Sequence, residues 1–175
     1  MKKIFCALLF SVIFVTASAQ EINQLDRKGQ KQGKWVEFHE NGQIRMQGFF
    51  EKGVPVGEFL YYSEAGLLKA KNVFSEKGEK SFCEMYGDNG NVIAKGMYIN
   101  KLKNGEWIYI NNNGVTILSE TYKNGVLDGP YTLYYEDGVV RFTGSYENGA
   151  MVGQWQTFDP EGNLISTDEY RESDE

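Results

Sequence analysis

The chain of 175 residues contains one histidine, two cysteines and three prolines. A single imidazole, with no second His or Cys at a ligand spacing, excludes the multi-histidine and Cys/His metal centres. That residue, His39, is followed by Glu40, Asn41 and Gly42 and reads as a turn residue. With no Gly-x-Ser-x-Gly elbow, a Ser–His–Asp set cannot be assembled. The longest apolar run, Ile4 to Val15, is twelve residues broken only by Ser11, too short for a membrane-spanning helix. Positive charge is scarce: 18 Lys and Arg against 24 Asp and Glu give a net charge of −6. So acidic a chain is unsuited to phosphate-driven binding of nucleic acid and is repelled by anionic lipid surfaces. Neither is expected as a partner.

Residues 1–19 read as a secretory signal peptide. Lys2 and Lys3 form its positive end, Ile4–Val15 its apolar segment, and Ala17-Ser18-Ala19 a small-x-small cleavage site that leaves Gln20 as the new N-terminus. Cys6 lacks the small residues that precede a lipidated cysteine. The expected location is therefore periplasmic or secreted. Cleavage after Ala19 removes two positive charges and moves the net charge from −6 to −8. It also leaves Cys83 alone, so no intramolecular disulfide can form, and an exported chain must hold itself by packing and backbone pairing.

What the chain has in quantity is glycine, at 20 residues, and aromatics, at 14%. Glycine stands at 33, 57, 105, 129 and 153, each a multiple of 24 residues from the first; the skipped slot holds Ser81. Such a period marks a repeat architecture. Two positions after each opening slot come Trp35, Phe59, Cys83, Trp107, Tyr131 and Trp155. Further on stand Phe38, Tyr62, Tyr86, Ile110, Tyr134 and Phe158. The tenth slot is glycine in all six units (Gly42, Gly66, Gly90, Gly114, Gly138 and Gly162), and an aromatic closes each unit at Phe50, Phe74, Tyr98, Tyr122, Tyr146 and Tyr170. Two short segments with a turn every ten to fourteen residues describe one β-hairpin per unit. Asp159-Pro160-Glu161-Gly162 has the order of a type I turn with a G1 bulge. That turn sets Phe38 opposite Ile44, Tyr62 opposite Leu68, Tyr86 opposite Val92, Tyr134 opposite Val140 and Phe158 opposite Leu164.

Carrying the alternation straight through each strand places Val36, Phe38, Ile44, Met46 and Phe50 on one apolar face. The Trp35 column then falls on the other face, among Glu37, Arg45, Gln47 and Lys69. The opening glycine is expected to let the neighbouring rings lie flat over backbone. The fold expected is all-β: an extended single-layer antiparallel sheet of about six 24-residue β-hairpin repeats, roughly 55 Å long at about 4.8 Å per strand. Residues 20–32 read as an N-terminal half-repeat cap, 33–170 as the six repeats, and 171–175 as an acidic tail that discourages edge-to-edge pairing. The third unit is irregular, with Ser81 for glycine, Cys83 for a large aromatic, and a charged turn over 76–80. Either the repeat has drifted or bent there, or the interruption marks a contact point for a partner.

The stretch Gly105-Glu-Trp-Ile-Tyr-Ile-Asn-Asn-Asn-Gly114, closing on Tyr122-Lys123-Asn124-Gly125, resembles the bacterial variant of the MORN repeat. So does Gly129-Pro-Tyr-Thr-Leu-Tyr-Tyr-Glu-Asp-Gly138, closing on Tyr146-Glu147-Asn148-Gly149, and the likeness runs over about residues 28–170. The resemblance implies single-layer hairpin arrays that serve as binding or scaffolding modules. Some family members are described as antitoxins of toxin–antitoxin pairs, and eukaryotic relatives are linked to membrane lipids and protein assembly. It supplies no catalytic motif to carry over.

No residue is assigned a catalytic, cofactor or metal role. Cys83 stands in an aromatic column and reads as a small packed residue rather than a nucleophile. Asp88-Asn89-Gly90-Asn91 and Asp128-Gly129 lack the alternating donors of a calcium loop, and Glu136-Asp137 lies in a turn rather than a cleft. Surface remains. Trp35, Phe59, Trp107, Tyr131 and Trp155 are the candidate partner-binding residues, since exposed aromatics dominate binding hot spots; the competing reading spends their rings on neighbouring repeats. A free sheet edge could also accept a partner strand. The function expected is that of an exported, non-enzymatic repeat protein acting as a binding scaffold for a protein, a peptide or a glycan. The alternative is an antitoxin or immunity protein of a toxin pair. Mass spectrometry of the exported protein is expected to find Gln20 at its N-terminus; a retained Met1 would refute the cleavage assignment.

Overall fold

In the tenth slot of each repeat the chain must reverse through a positive φ, which glycine adopts without strain. The computed structural model, which describes residues 21–171, sets the six tenth-slot glycines at φ between 78° and 93°. At the first of these turns the His39 amide donates to the Gln43 carbonyl (2.8 Å) and the Gly42 amide to the His39 carbonyl (3.0 Å). This is the three-residue loop of a type I turn with a G1 bulge, and the same pair of bonds closes the other five hairpins. The opposite ends of the strands are joined by tighter loops. Lys52-Gly53, Asn124-Gly125 and Asn148-Gly149 place both central residues at positive φ, as a type I′ turn requires.

These turns generate thirteen strands. They are β1 (Gln24–Leu25), β2 (Lys31–Phe38), β3 (Ile44–Glu51), β4 (Val54–Tyr62) and β5 (Leu68–Ser75). After a 3₁₀ turn over Glu76–Gly78 come β6 (Lys80–Tyr86), β7 (Val92–Ile99), β8 (Leu102–Ile110) and β9 (Thr116–Lys123). The last four are β10 (Val126–Tyr134), β11 (Val140–Glu147), β12 (Ala150–Phe158) and β13 (Leu164–Tyr170). Each strand pairs antiparallel with its neighbours in sequence, in one open sheet. No α-helix occurs among the described residues. The all-β, single-layer hairpin sheet is thus the architecture found, and all five registers derived from the turn are present. The segment assigned to the N-terminal cap contributes β1, which pairs Gln24 with Gln32. The signal-peptide assignment and most of the acidic tail lie outside the described residues.

The assignment of side chains to faces is corrected. Beyond the turn each hairpin carries a further one-residue bulge: Phe38 opposes Ile44, but Glu37 opposes Met46, leaving Arg45 as the extra residue. Lys69, Ile93, Ile117, Arg141 and Ile165 are the extra residues of the other five hairpins. One extra residue reverses the alternation for the rest of the strand. Met46 and Phe50 therefore share a face with Trp35, and not with Phe38 and Ile44. The closing aromatics of every repeat cross over in the same way, so the rings collect on a single face. Phe50 meets Phe59 edge-on at 5.1 Å, Phe59 meets Phe74 at 5.0 Å, Tyr98 meets Trp107 at 4.9 Å and Tyr146 meets Trp155 at 5.1 Å.

The glycine expected to lie beneath the rings is also corrected. A Cβ at Gly33, Gly57, Gly105 or Gly153 would meet nothing within 4 Å; these positions need glycine for φ values of 65–74°. The glycines under the rings are Gly48, Gly96 and Gly144. A Cβ there would lie 2.4 Å from the Phe59 ring, 2.3 Å from the Trp107 ring and 2.2 Å from the Trp155 ring. Those three rings are the best-buried large side chains, at 2%, 1% and 0% exposure. Burial of each is worth about 2–3 kcal/mol. Between these glycines the same row holds Asn72 and Glu120, opposite Cys83 and Tyr131, so the packing repeats every 48 residues rather than 24.

Two kinds of glycine should respond differently to substitution. Gly96→Ala drives a methyl into the Trp107 ring and is expected to cost about 3 kcal/mol. Gly105→Ala meets open space and is expected to cost about 1–2 kcal/mol, from its backbone conformation alone. Denaturant unfolding of the two variants checks the order.

Candidate functional site at the third hairpin

Of the five residues proposed as a partner-binding ribbon, three are not available at the surface. Phe59, Trp107 and Trp155 are buried over Gly48, Gly96 and Gly144. Trp35 and Tyr131 are half-buried, and each lies against another ring: Trp35 against Phe50 at 6.0 Å, Tyr131 against Tyr146 at 5.5 Å. The structure brings the five together as parts of one aromatic layer, and the exposed ribbon is corrected to a packed one. Lysines extend the layer, with Lys31 Nζ 4.3 Å from the Trp35 ring centroid and Lys103 Nζ 4.6 Å from that of Trp107. His39 sits at its turn with a ring nitrogen 2.9 Å from the Tyr62 carbonyl of the next hairpin, which accepts a hydrogen bond from it. Asn41 and Asn111 likewise donate to the Glu64 and Glu136 carbonyls, each at 2.9 Å, so the turn residues tie neighbouring hairpins together.

The irregular third unit differs in backbone as well as sequence. In the regular units two residues beyond a one-to-one register sit in a bulge around the opening glycine; β3 and β4, for example, skip between Gln47–Leu60 and Phe49–Val56. Ser81 has a Cβ and does not replace that glycine's backbone. Here β5 and β6 pair without interruption from Ala70–Met85 to Ser75–Lys80. The slack moves into the connecting turn, where Lys77 (φ 56°) and Gly78 (φ 82°) carry the positive φ values. A Cβ at Gly78 would lie 2.9 Å from Pro55, so this turn folds back against β4.

Both faces change at this point. On the aromatic face the small Cys83 leaves a cavity of about 660 Å³, lined by Tyr61, Asn72, Phe74, Ser81, Cys83 and Tyr98 and extending to Pro55, Glu79 and Lys101. Cys83 itself is buried, and burial pushes its thiol above the usual value, which keeps it protonated and unreactive. Burial also raises the Tyr61 and Tyr98 phenols. No cluster of three or more His, Cys, Asp or Glu placed to hold a metal occurs among the described residues.

On the opposite face Val73, Phe82 and Met97 stand directly across from one another on β5, β6 and β7. They are 40%, 42% and 41% exposed. The adjacent row is charged: Lys71 opposes Glu84 and Glu84 opposes Lys95. Lys71 Nζ lies 2.6 Å from the Glu84 carboxylate, which also accepts from Tyr86 Oη at 3.0 Å. This apolar row was not singled out from the sequence, because the reversed alternation hid which residues share its face.

The fold defines the class: an array of paired β-hairpins stacked edge to edge in one layer. Residues 31–52, 127–148 and 151–172 each match the MORN repeat variant family, so the chain carries MORN-variant repeats at these three places. No curated protein matches the chain.

The hydrogen bond from Lys71 holds the Glu84 carboxyl below the usual glutamate value, and the same contact raises Lys71. The pair's contribution is therefore present above the unfolded-state value and lost as pH falls through the lower, folded-state one. An NMR titration is expected to place the Glu84 midpoint below that of an ordinary glutamate, and Lys71→Met to return it upward. An unchanged midpoint in Lys71→Met would contradict the pairing.

Proposed function

We propose that the protein is an exported, non-catalytic scaffold that binds a protein partner on the face opposite its aromatic layer, centred on the third hairpin. The observation that supports this reading is the cross-strand row Val73–Phe82–Met97: three large apolar side chains side by side, each about two-fifths exposed. An apolar centre bordered by charge has the composition of a protein interface. Toward the C-terminus the same row is polar, with Glu106 and Thr121 opposed on β8 and β9 and Gln154 and Glu169 on β12 and β13; in the first hairpin it holds Phe49, also 40% exposed, opposite Lys34. An open sheet with short turns offers a rigid surface of this kind, and repeat scaffolds use such surfaces for recognition. Catalysis is not part of the proposal, because the acids of the turns serve the turns. Asp159 accepts from the Asn163 amide at 2.7 Å and Asp26 from the Gln30 amide at 2.9 Å.

Affinity capture from the envelope fraction of the producing cells, with mass spectrometry of the bound protein, tests the proposal. The Phe82→Ser, Met97→Ser double variant is expected to keep its β-sheet circular dichroism and to recover the partner at least about tenfold less well, as loss of interface anchors does. Equal recovery by the folded double variant would overturn the assignment of this face.

A further inference from the structure

Three residues at the third hairpin, Glu79, Cys83 and Lys101, line one cavity. Cys83 stands where the other units hold Trp35, Phe59, Trp107, Tyr131 and Trp155. Lys101 stands in the slot of Gly53, Gly125 and Gly149, which Lys77 fills at the preceding turn, and it keeps the left-handed backbone of that slot (φ 69°), a strained conformation for a residue with a Cβ. Glu79 occupies a slot that holds Pro55, Leu127 and Met151 in three units and, in two others, Lys31 and Lys103, whose ammonium groups lie over the rings of Trp35 and Trp107. In those hairpins the chain supplies both a ring and the cation above it. At the third hairpin it supplies neither, and an anion replaces the cation.

The cavity is shaped by what is missing. In the 48-residue packing unit, Cys83 corresponds to Trp35 and Tyr131, whose rings stand edge-on to Phe50 and Tyr146. The residue equivalent to those two is Tyr98, and it lines the cavity together with Phe74 and Tyr61. A volume of about 660 Å³ lies in the range of small-molecule sites. The wall also contains a buried acceptor, Asn72 Oδ1, with no hydrogen-bond partner among the described residues; a ring N–H or hydroxyl is the donor it lacks. At the rim, Glu79 and Lys101 are held side by side, since the Glu79 carbonyl accepts from the Asn100 amide at 2.8 Å. Neither takes part in an ion pair among the described residues.

The geometry points to a binding site for a free aromatic amino acid. Its ring takes the place of the absent side chain at position 83, against Phe74 and Tyr98, its ammonium lies at Glu79, and its carboxylate lies at Lys101. The ring and cation missing from the repeat are then supplied by one ligand, and the carboxylate finds Lys101 at the rim. This site opens on the face opposite the proposed partner surface and does not depend on that surface being correct.

L-tryptophan, tryptamine and indole-3-propionate are the probes, titrated into the chain from Gln20 and followed by amide shifts of Ser81, Cys83 and Tyr98. L-tryptophan is expected to bind with a dissociation constant on the order of 1 mM, in keeping with ligands of its size. The two single-charge analogues are expected to bind about two- to fivefold more weakly, the range of a partly exposed ion pair. Cys83→Trp fills the site from within and is expected to abolish the shifts. Glu79→Gln is expected to weaken L-tryptophan and tryptamine but not indole-3-propionate, and Lys101→Gln to weaken L-tryptophan and indole-3-propionate. Both residues lie at the rim, so these variants test the site even if Cys83→Trp fails to fold. Absence of shifts with L-tryptophan at about ten times the expected constant, or equal binding by a folded Cys83→Trp variant, would overturn the site. Insensitivity of all three probes to both rim variants would overturn the amino-acid assignment.

Discussion

A single layer of β-strands has no second layer to cover it, so every large side chain must be buried by neighbours in the plane of the same sheet. That constraint selects the contact on which the rest depends: an aromatic ring laid flat over a glycine of the preceding strand. Phe59, Trp107 and Trp155 reach near-complete burial only because Gly48, Gly96 and Gly144 present bare backbone beneath them. The closing aromatics then stand edge-on against those rings at about 5 Å, the separation at which ring quadrupoles attract. A hairpin alone could not bury even one such ring, which is why stability is shared among neighbours.

The glycines thus divide by physical cause. Those in the tenth slot and in the opening slot are required by positive φ, and their surroundings are mostly open. Those at 48, 96 and 144 have ordinary backbone and are required by contact alone. A chain that uses glycine for two reasons at two different spacings shows the shorter period plainly and conceals the longer one.

That division explains what was legible in the sequence. The turn residues act locally, so the hairpins, their register and the all-β layer follow from Gly42 and its equivalents and from Asp159-Pro160-Glu161-Gly162. The faces do not follow, because the bulge that reverses the alternation falls on Arg45, Lys69, Ile93, Ile117, Arg141 and Ile165, residue types that carry no common signal. With the faces misassigned, the Trp35 column looked free and the Val73–Phe82–Met97 row was invisible. The 48-residue spacing of Gly48, Gly96 and Gly144 was the available clue, since a glycine opposite each aromatic of one column implies a ring lying on backbone. Ser81 and Cys83 did mark the third hairpin as different. Glu79 and Lys101 gained meaning only when the backbone placed them on one cavity.

The alternation of bare and occupied rows also constrains how such an array can grow or shrink. Gly48, Gly96 and Gly144 are separated by rows holding Asn72 and Glu120, opposite Cys83 and Tyr131, which a flat ring cannot cover. Loss of the 24 residues 83–106 would place Trp107 opposite the Asn72 side chain instead of the bare backbone of Gly96. Exchange of a 48-residue pair leaves every junction as it was. A doublet can therefore be gained or lost wherever its ends fall, whereas a single unit can be only where the cut keeps each ring with its own glycine.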